Sequence, residues 1–215
     1  MEKQEVLNSL QKLRQESNKR NFKQSVDLII NLKNLNLKKP EEQLDLFVET
    51  PNERGKKVKV CALVGPESQE EASDADGVIL SDDFEKYKDK KAAKKVAKSY
   101  DFFVAQANMM GKVASTFGKI LGPRNKMPNP KAGCVVPPKT NLKPLIERLH
   151  KTVRITVKKS PIVAVRLGDE GMSDEEIADN IMTIYENVER NLPLEKNNIK
   201  SVLLKLTMSK PVKIA

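Results

Sequence analysis

The sequence predicts a mixed α/β and α+β protein with two architectures. The chain ends read as an α+β layer on an antiparallel sheet, and the middle reads as α/β. Two patterns carry this. Val26, Leu28, Ile30 and Leu32 alternate with polar residues, and the segments 154–159 and 161–168 alternate in the same way, as half-buried antiparallel strands do. Between residues 77 and 151, short apolar runs instead alternate with helical patterns, the mark of a parallel sheet.

Taken in order, Val6, Leu7, Leu10 and Leu13 recur at helical spacing and give an amphipathic first helix. The strand over 26–32 follows. Pro40 and PNERG at 51–55 are turn signals. VKVCALV at 58–64 is nearly all apolar and β-branched, so it predicts a strand entering a more buried setting. GVIL at 77–80 and FFVAQ at 102–106 predict short buried strands. Ala92, Ala93, Val96 and Ala97 give a helix over 89–99 a narrow apolar stripe, and further helices fit 109–118 and 141–151. RITVKK at 154–159 and PIVAVRLG at 161–168, separated by a short turn, predict a hairpin. Ser173 followed by Glu176 is a capping box for a helix over 174–190, whose stripe is Ile177, Ile181, Ile184 and Val188. SVLLKLT at 201–207 is the last strand.

The 215 residues carry 39 Lys+Arg against 29 Asp+Glu, a net charge of +10 that asks for an anionic partner. Residues 112–154 hold +9 of it, and residues 155–215 sum to zero. Aromatics are 4% of the chain, too few for a protein that grips single strands mainly by base stacking. No apolar stretch suits a membrane span, and no secretory signal is expected at the charged N-terminus. Cys61 and Cys134 form no zinc pattern, and His150 stands alone, so no metal site, cofactor or catalytic triad is expected. Both cysteines lie in apolar runs and read as core thiols of a cytosolic protein.

The densest special segment is residues 117–141. Its glycines permit tight turns, its prolines stiffen the loop, and it presents Lys119, Arg124, Lys126, Lys131 and Lys139. Cations held in a rigid loop suit phosphate contacts. It is not a Walker loop: Gly118-Lys119 is followed by Ile120, and Val113 stands where the first glycine belongs. The seven lysines from Lys86 to Lys98 read as a solvated helix face. The acids from Asp169 to Glu176 lack calcium-loop spacing and read as helix capping.

The segment GPRNKMPNPKAG at 122–133 resembles the signature of the ribosomal protein L-one family, the large-subunit proteins of the mobile stalk beside the tRNA exit site, in its archaeal type. RNFKQSVDL, PNERGKKVKV, RITVKKSPIVAV, SDEEIADNI and LTMSKP extend the resemblance along the chain. The resemblance implies a discontinuous α+β domain of residues 1–63 and 155–215, with an inserted Rossmann-like α/β domain of residues 64–154. It implies that the first domain makes the main contact with large-subunit rRNA, and with the protein's own mRNA. The matching positions are Phe22, Ser201, Thr207 and Met208, with Ser209 beside them and Lys19, Arg20 and Lys23 supplying phosphate contacts. Ser209 stands where many members have Gly, and Asn21 where some have Lys. The basic loop Lys119, Arg124, Lys126, Lys131, Lys139 is then a secondary contact for rRNA or for tRNA in the exit site. The resemblance further implies a non-enzymatic, cytoplasmic ribosomal protein that is monomeric when free. It would help release deacylated tRNA and repress translation of its own mRNA. Its rivals are a free RNA-binding regulator and a nucleotide-dependent α/β enzyme.

Overall fold

The structure is a computed structural model that describes residues 1–55 and 57–214, and of Lys88 only the backbone. It is a mixed α/β fold whose contacts divide into two compact units, residues 1–56 with 151–215, and residues 57–150.

The first unit begins with helix α1 (Lys3–Glu16), which buries Val6, Leu10 and Leu13 and leaves its polar face outside. Strand β1 (Ser25–Leu32) follows, then β2 (Leu44–Glu49), which short-range patterning missed. After the second unit the chain returns through β7 (Thr152–Val157), β8 (Ile162–Asp169), helix α5 (Asp174–Arg190), β9 (Ile199–Leu206) and the short β10 (Val212–Lys213). The main sheet is antiparallel in the order β10-β9-β1-β8, and β2 pairs with β7 in a separate two-stranded sheet.

The hairpin expected from 154–168 is therefore absent. β7 and β8 are consecutive but belong to different sheets. Pro161 has no amide to donate, and its carbonyl accepts from Leu32 N–H at 2.8 Å, which commits the start of β8 to β1. β7 is claimed by β2, where Asp45 accepts from Arg154 at 3.0 and 2.9 Å and from Lys158 at 2.7 Å.

The capping box at α5 is present in both directions. Ile177, Ile181, Ile184 and Val188 are fully buried, in one cluster with Val6, Leu10 and Leu13 of α1 and Leu28, Ile30, Val202 and Leu204 of the sheet. Each such side chain contributes about 1.5–3 kcal/mol by leaving water. The helices share this apolar cluster with the sheet, and the other sheet face is left for Ser25, Asp27, Ile29 and Asn31 of β1, the less buried residues of its strict alternation.

The second unit is built on parallel strands β3 (Val60–Val64), β4 (Gly77–Leu80), β5 (Phe102–Gln106) and β6 (Val135–Val136), in the order β4-β3-β5-β6. Its helices are α2 (Lys90–Ser99), α3 (Met110–Leu121) and α4 (Lys143–Lys151). All five residues of β3 are buried, as a strand between two parallel neighbours requires. The same pairing places residues 60–63 in this unit, and the contacts bound it at 57 and 150, whereas the sequence reading bounds it at 64 and 154. GVIL is less buried than expected. Only Ile79 is inside, because β4 is the edge strand.

Candidate nucleic-acid interface

Gln24 organises one end of the open sheet. It is 1% exposed, and every polar atom of its side chain is used. Its Nε2–H donates to Glu170 Oε1 at 2.9 Å and to the Asn18 carbonyl at 3.4 Å. Its Oε1 accepts from Met208 N–H at 3.0 Å. Its own backbone N–H donates to Glu170 Oε2, and Glu170 N–H donates back to its carbonyl, both at 3.0 Å. One residue thus ties together the loop after α1, the turn after β8 and the turn after β9.

Arg14, in the last turn of α1, braces the same corner. Its Nε donates to Asp174 Oδ1 at 2.7 Å, and its two terminal nitrogens donate to the carbonyls of Glu170 and Met172 at 2.9 and 2.7 Å. Three bonds in the fixed fork of a guanidinium hold that turn rigidly. The acids at 170–176 therefore do more than cap α5.

These braces hold up an exposed edge. Phe22 and Met208 are 51% and 60% exposed, large apolar side chains with no place in the core. Lys19, Arg20 and Lys23 are exposed, and with Arg14, Ser17, Asn21, Phe22 and Glu170 they line an open cleft of about 660 Å³. Thr207 Oγ1 accepts from Ser25 N–H at 3.0 Å and lies 3.1 Å from Ser25 Oγ. Ser209 Oγ accepts from Leu206 N–H at 2.8 Å and closes the turn that presents Met208. A glycine would leave that amide to be satisfied otherwise, so Ser209 has a local structural task.

Ser201 lies elsewhere. It is the partner of Asn31, whose Nδ2–H donates to its Oγ at 2.9 Å, and it is six residues from Thr207, about 20 Å along an extended strand. Ser201 falls on the less buried phase of β9, and Thr207 is the exposed first residue of the turn that follows the strand. Between them the open face carries a cross-strand row: Arg166 of β8 and Lys205 of β9 both stand opposite Asp27 of β1. Arg166 Nε is buried without a hydrogen-bond partner, and among the described residues no carboxylate pairs with its guanidinium. Arg166 and Lys205 line one groove with Asp27, Ile29 and Thr207. Sequence reading passed over Arg166, Asp27, Lys205 and Gln24, because only strand pairing brings them together.

In the second unit two of the five basic loop residues, Arg124 and Lys126, are turned to their own fold and three are exposed. Lys126 Nζ donates to the carbonyls of Ala97 and Tyr100 at 3.1 and 2.6 Å, at the C-terminal end of α2, where carbonyls lack helical partners. Arg124 reaches the Lys94 carbonyl at 3.5 Å. Gly122 allows this return: a Cβ there would stand 2.7 Å from the Gly118 carbonyl oxygen. Lys139 takes a left-handed backbone, and its N–H donates to Ser68 Oγ at 2.9 Å, with its side chain outside. Lys119 and Lys131 are exposed. Burial pushes the Cys61 thiol up to about 12 and the Cys134 thiol up to about 11. Among the described residues no group of three His, Cys, Asp or Glu is placed to hold a metal. Among the described residues no helix is long and apolar enough to cross a membrane.

A model of the ribosomal protein L1p/L10e family matches residues 13–210. "Large ribosomal subunit protein uL1" of Methanobrevibacter smithii is 45% identical over 98% of this chain and 99% of its own length. Proteins of the same name from Methanothermococcus thermolithotrophicus and Pyrococcus abyssi are 44% and 42% identical, over 100% and 99% of this chain and 99% and 96% of their own lengths. The chain belongs to the ribosomal protein L1p/L10e family, in its archaeal type, and is therefore a structural protein rather than an enzyme.

Proposed function

We propose that the chain is a constituent of the large ribosomal subunit, working on cytoplasmic ribosomes, that binds large-subunit rRNA at the mobile stalk through the braced edge of its first unit. The observation that carries this reading is the Gln24 clamp, whose buried amide, two residues along the chain from the exposed Phe22, ties the turn presenting Met208 to Glu170. Exposed apolar side chains flanked by Lys19, Arg20 and Lys23 suit RNA, whose bases offer flat apolar faces and whose backbone offers phosphates. Ser201 within β9 and Thr207 in the turn just after it supply hydroxyls for riboses or phosphates. Arg166, whose Nε has no hydrogen-bond partner among the described residues, adds a guanidinium to the groove between them.

The finer functional parts of the proposal follow from family resemblance. Repression of its own mRNA would use the same surface, release of deacylated tRNA from the exit site would involve the second unit's basic loop, and the free protein would be a monomer. The two compact units would be domains, a discontinuous α+β domain and a Rossmann-like insert. Parallel order β4-β3-β5-β6 with its helices supports the second label. Lys119, Lys131 and Lys139 remain available for secondary contacts, while Lys126 and Arg124 serve the fold.

The test is binding of the full chain to a stalk rRNA transcript, to its own mRNA leader and to an unrelated RNA, at two salt concentrations. Phe22→Ala and Met208→Ala should each weaken stalk binding tenfold or more while leaving thermal stability unchanged. Equal affinity for all three RNAs, or unchanged binding in both variants, would overturn the reading. Co-sedimentation with large subunits separates a ribosomal protein from a free regulator.

A further inference from the structure

We propose that the lysine face of α2 is a second RNA-binding surface, one that holds phosphate backbone without reading sequence. It rests on the RNA-binding reading above but uses another unit and other residues.

Helix α2 buries only Ala93 and Ala97. Lys90, Lys91, Lys94, Lys95 and Lys98 are all exposed, and the helix contains no acid. Lys90 stands four residues from Lys94, Lys91 from Lys95, and Lys94 from Lys98. Side chains at that spacing are neighbours, and like charges there repel. Lys90 and Lys91 also occupy a first turn without a single acid, against the helix dipole. Asp89, at that end, is the cap and accepts from Lys91 N–H. At the other end Lys126 brings a further cation to the carbonyls of Ala97 and Tyr100, and Arg124 reaches the Lys94 carbonyl in the middle of the helix. Among the described residues no carboxylate lies within 4.0 Å of any of the five ammonium groups.

Helices α1 and α5 treat their charges differently. Lys3 pairs with Asp179 and Arg14 with Asp174 between α1 and α5, and Lys12 with Glu16 and Arg190 with Glu186 within them. Before α2, Asp83 is taken by Lys86. A helix that breaks local rules with no compensation inside the fold points to a partner outside it. A stack of flexible ammonium groups suits that partner's backbone phosphates better than its base edges. A membrane surface does not fit, since the apolar side of α2 is alanine turned into its own core.

Two RNAs offer the same chemistry, large-subunit rRNA and tRNA, and separate arms of the test distinguish them. The full chain is compared with a variant carrying Lys91→Gln, Lys94→Gln, Lys95→Gln and Lys98→Gln, and with one carrying the same four positions as Lys→Arg. Each is titrated with a large-subunit rRNA transcript and with deacylated tRNA across a salt series. Removing repulsion should leave the glutamine variant at least as heat-stable as the parent. For the RNA this face serves, four lost phosphate contacts should flatten the slope of log affinity on log salt by about 3 and weaken binding more than tenfold at low salt. The arginine variant should bind like the parent. Phe22→Ala should weaken rRNA binding with the slope unchanged, so the two surfaces fail separately. Unchanged slopes for both RNAs in the glutamine variant would overturn the inference and leave the first-unit site standing. Loss of binding to polyglutamate with RNA binding intact would assign the face to an acidic protein and overturn it as well.

Discussion

Gln24 and Met208 are 184 residues apart in sequence and joined by a 3.0 Å hydrogen bond, from the Met208 backbone N–H to the Gln24 side-chain oxygen. Gln24 is buried, whereas Met208 is the most exposed of the large apolar residues. The bond therefore links a hidden support to a displayed contact. Gln24→Leu keeps the volume but removes every side-chain bond and leaves the Met208 N–H and one Glu170 oxygen without that partner. The expected cost is about 2–4 kcal/mol of stability, from unsatisfied polar groups at a partly buried corner. Amide exchange at Met208 should accelerate beyond that global loss, and rRNA affinity should drop with it. Normal protection at Met208 in the variant would show that the clamp does not hold the turn.

Arg166 is the next case. A half-buried guanidinium whose buried Nε has no partner among the described residues is costly to the free protein, so replacing it should not harm the fold. Arg166→Met is expected to hold or raise the melting temperature and to lower rRNA affinity by about 1–3 kcal/mol, the range for a charge-assisted hydrogen bond. A lower melting temperature with unchanged affinity would make Arg166 a structural residue instead.

Lys126 gives the opposite pattern. It sits inside the most basic segment of the chain, yet its ammonium closes the end of α2 through the carbonyls of Ala97 and Tyr100. Lys126→Met is expected to destabilise the protein by about 1–3 kcal/mol, since charged hydrogen bonds at a helix terminus are lost. Binding to a stalk rRNA transcript by the protein that remains folded should not change. Calorimetry and a titration at fixed salt measure the two quantities separately.

The contrast between these residues shows what local sequence can carry. The capping box of Ser173 and Glu176, the stripe of α5 and the alternation of β1 are short-range patterns, and the structure has all three. β2 was missed because LDLFVE offers no clean alternation: its burial is uneven, with only Leu44 and Val48 inside. The expected hairpin failed because neighbouring strands were assumed to pair, whereas the partners of β7 and β8 lie more than a hundred residues upstream. At the candidate site, Phe22, Thr207 and Met208 came from resemblance. Gln24, Arg14 and Glu170 have roles set by contacts across 146 to 184 residues, which no local spacing records.

The two buried thiols predict how stability depends on alkaline pH. In the unfolded chain a thiol ionises near 9.0, while burial raises Cys61 to about 12 and Cys134 to about 11. Both folded values are raised, so the unfolded state releases its protons first as pH climbs. The thiols' contribution is fully present below pH 9. It is lost progressively as pH rises from about 9 through 11 for Cys134 and through 12 for Cys61. Each thiol adds a slope of up to about 1.4 kcal/mol per pH unit in that window. Urea midpoints measured from pH 8 to 10.5 should therefore fall more steeply for the parent than for a Cys61→Ala, Cys134→Ala variant. The variant begins less stable because two small cavities replace the sulfurs. Thiol-reactive dye should label neither cysteine in the folded protein at pH 8 and both in urea. Labelling of the folded protein at the rate of a free thiol, or parallel pH curves for parent and variant, would mean that these thiols are not sealed in the core.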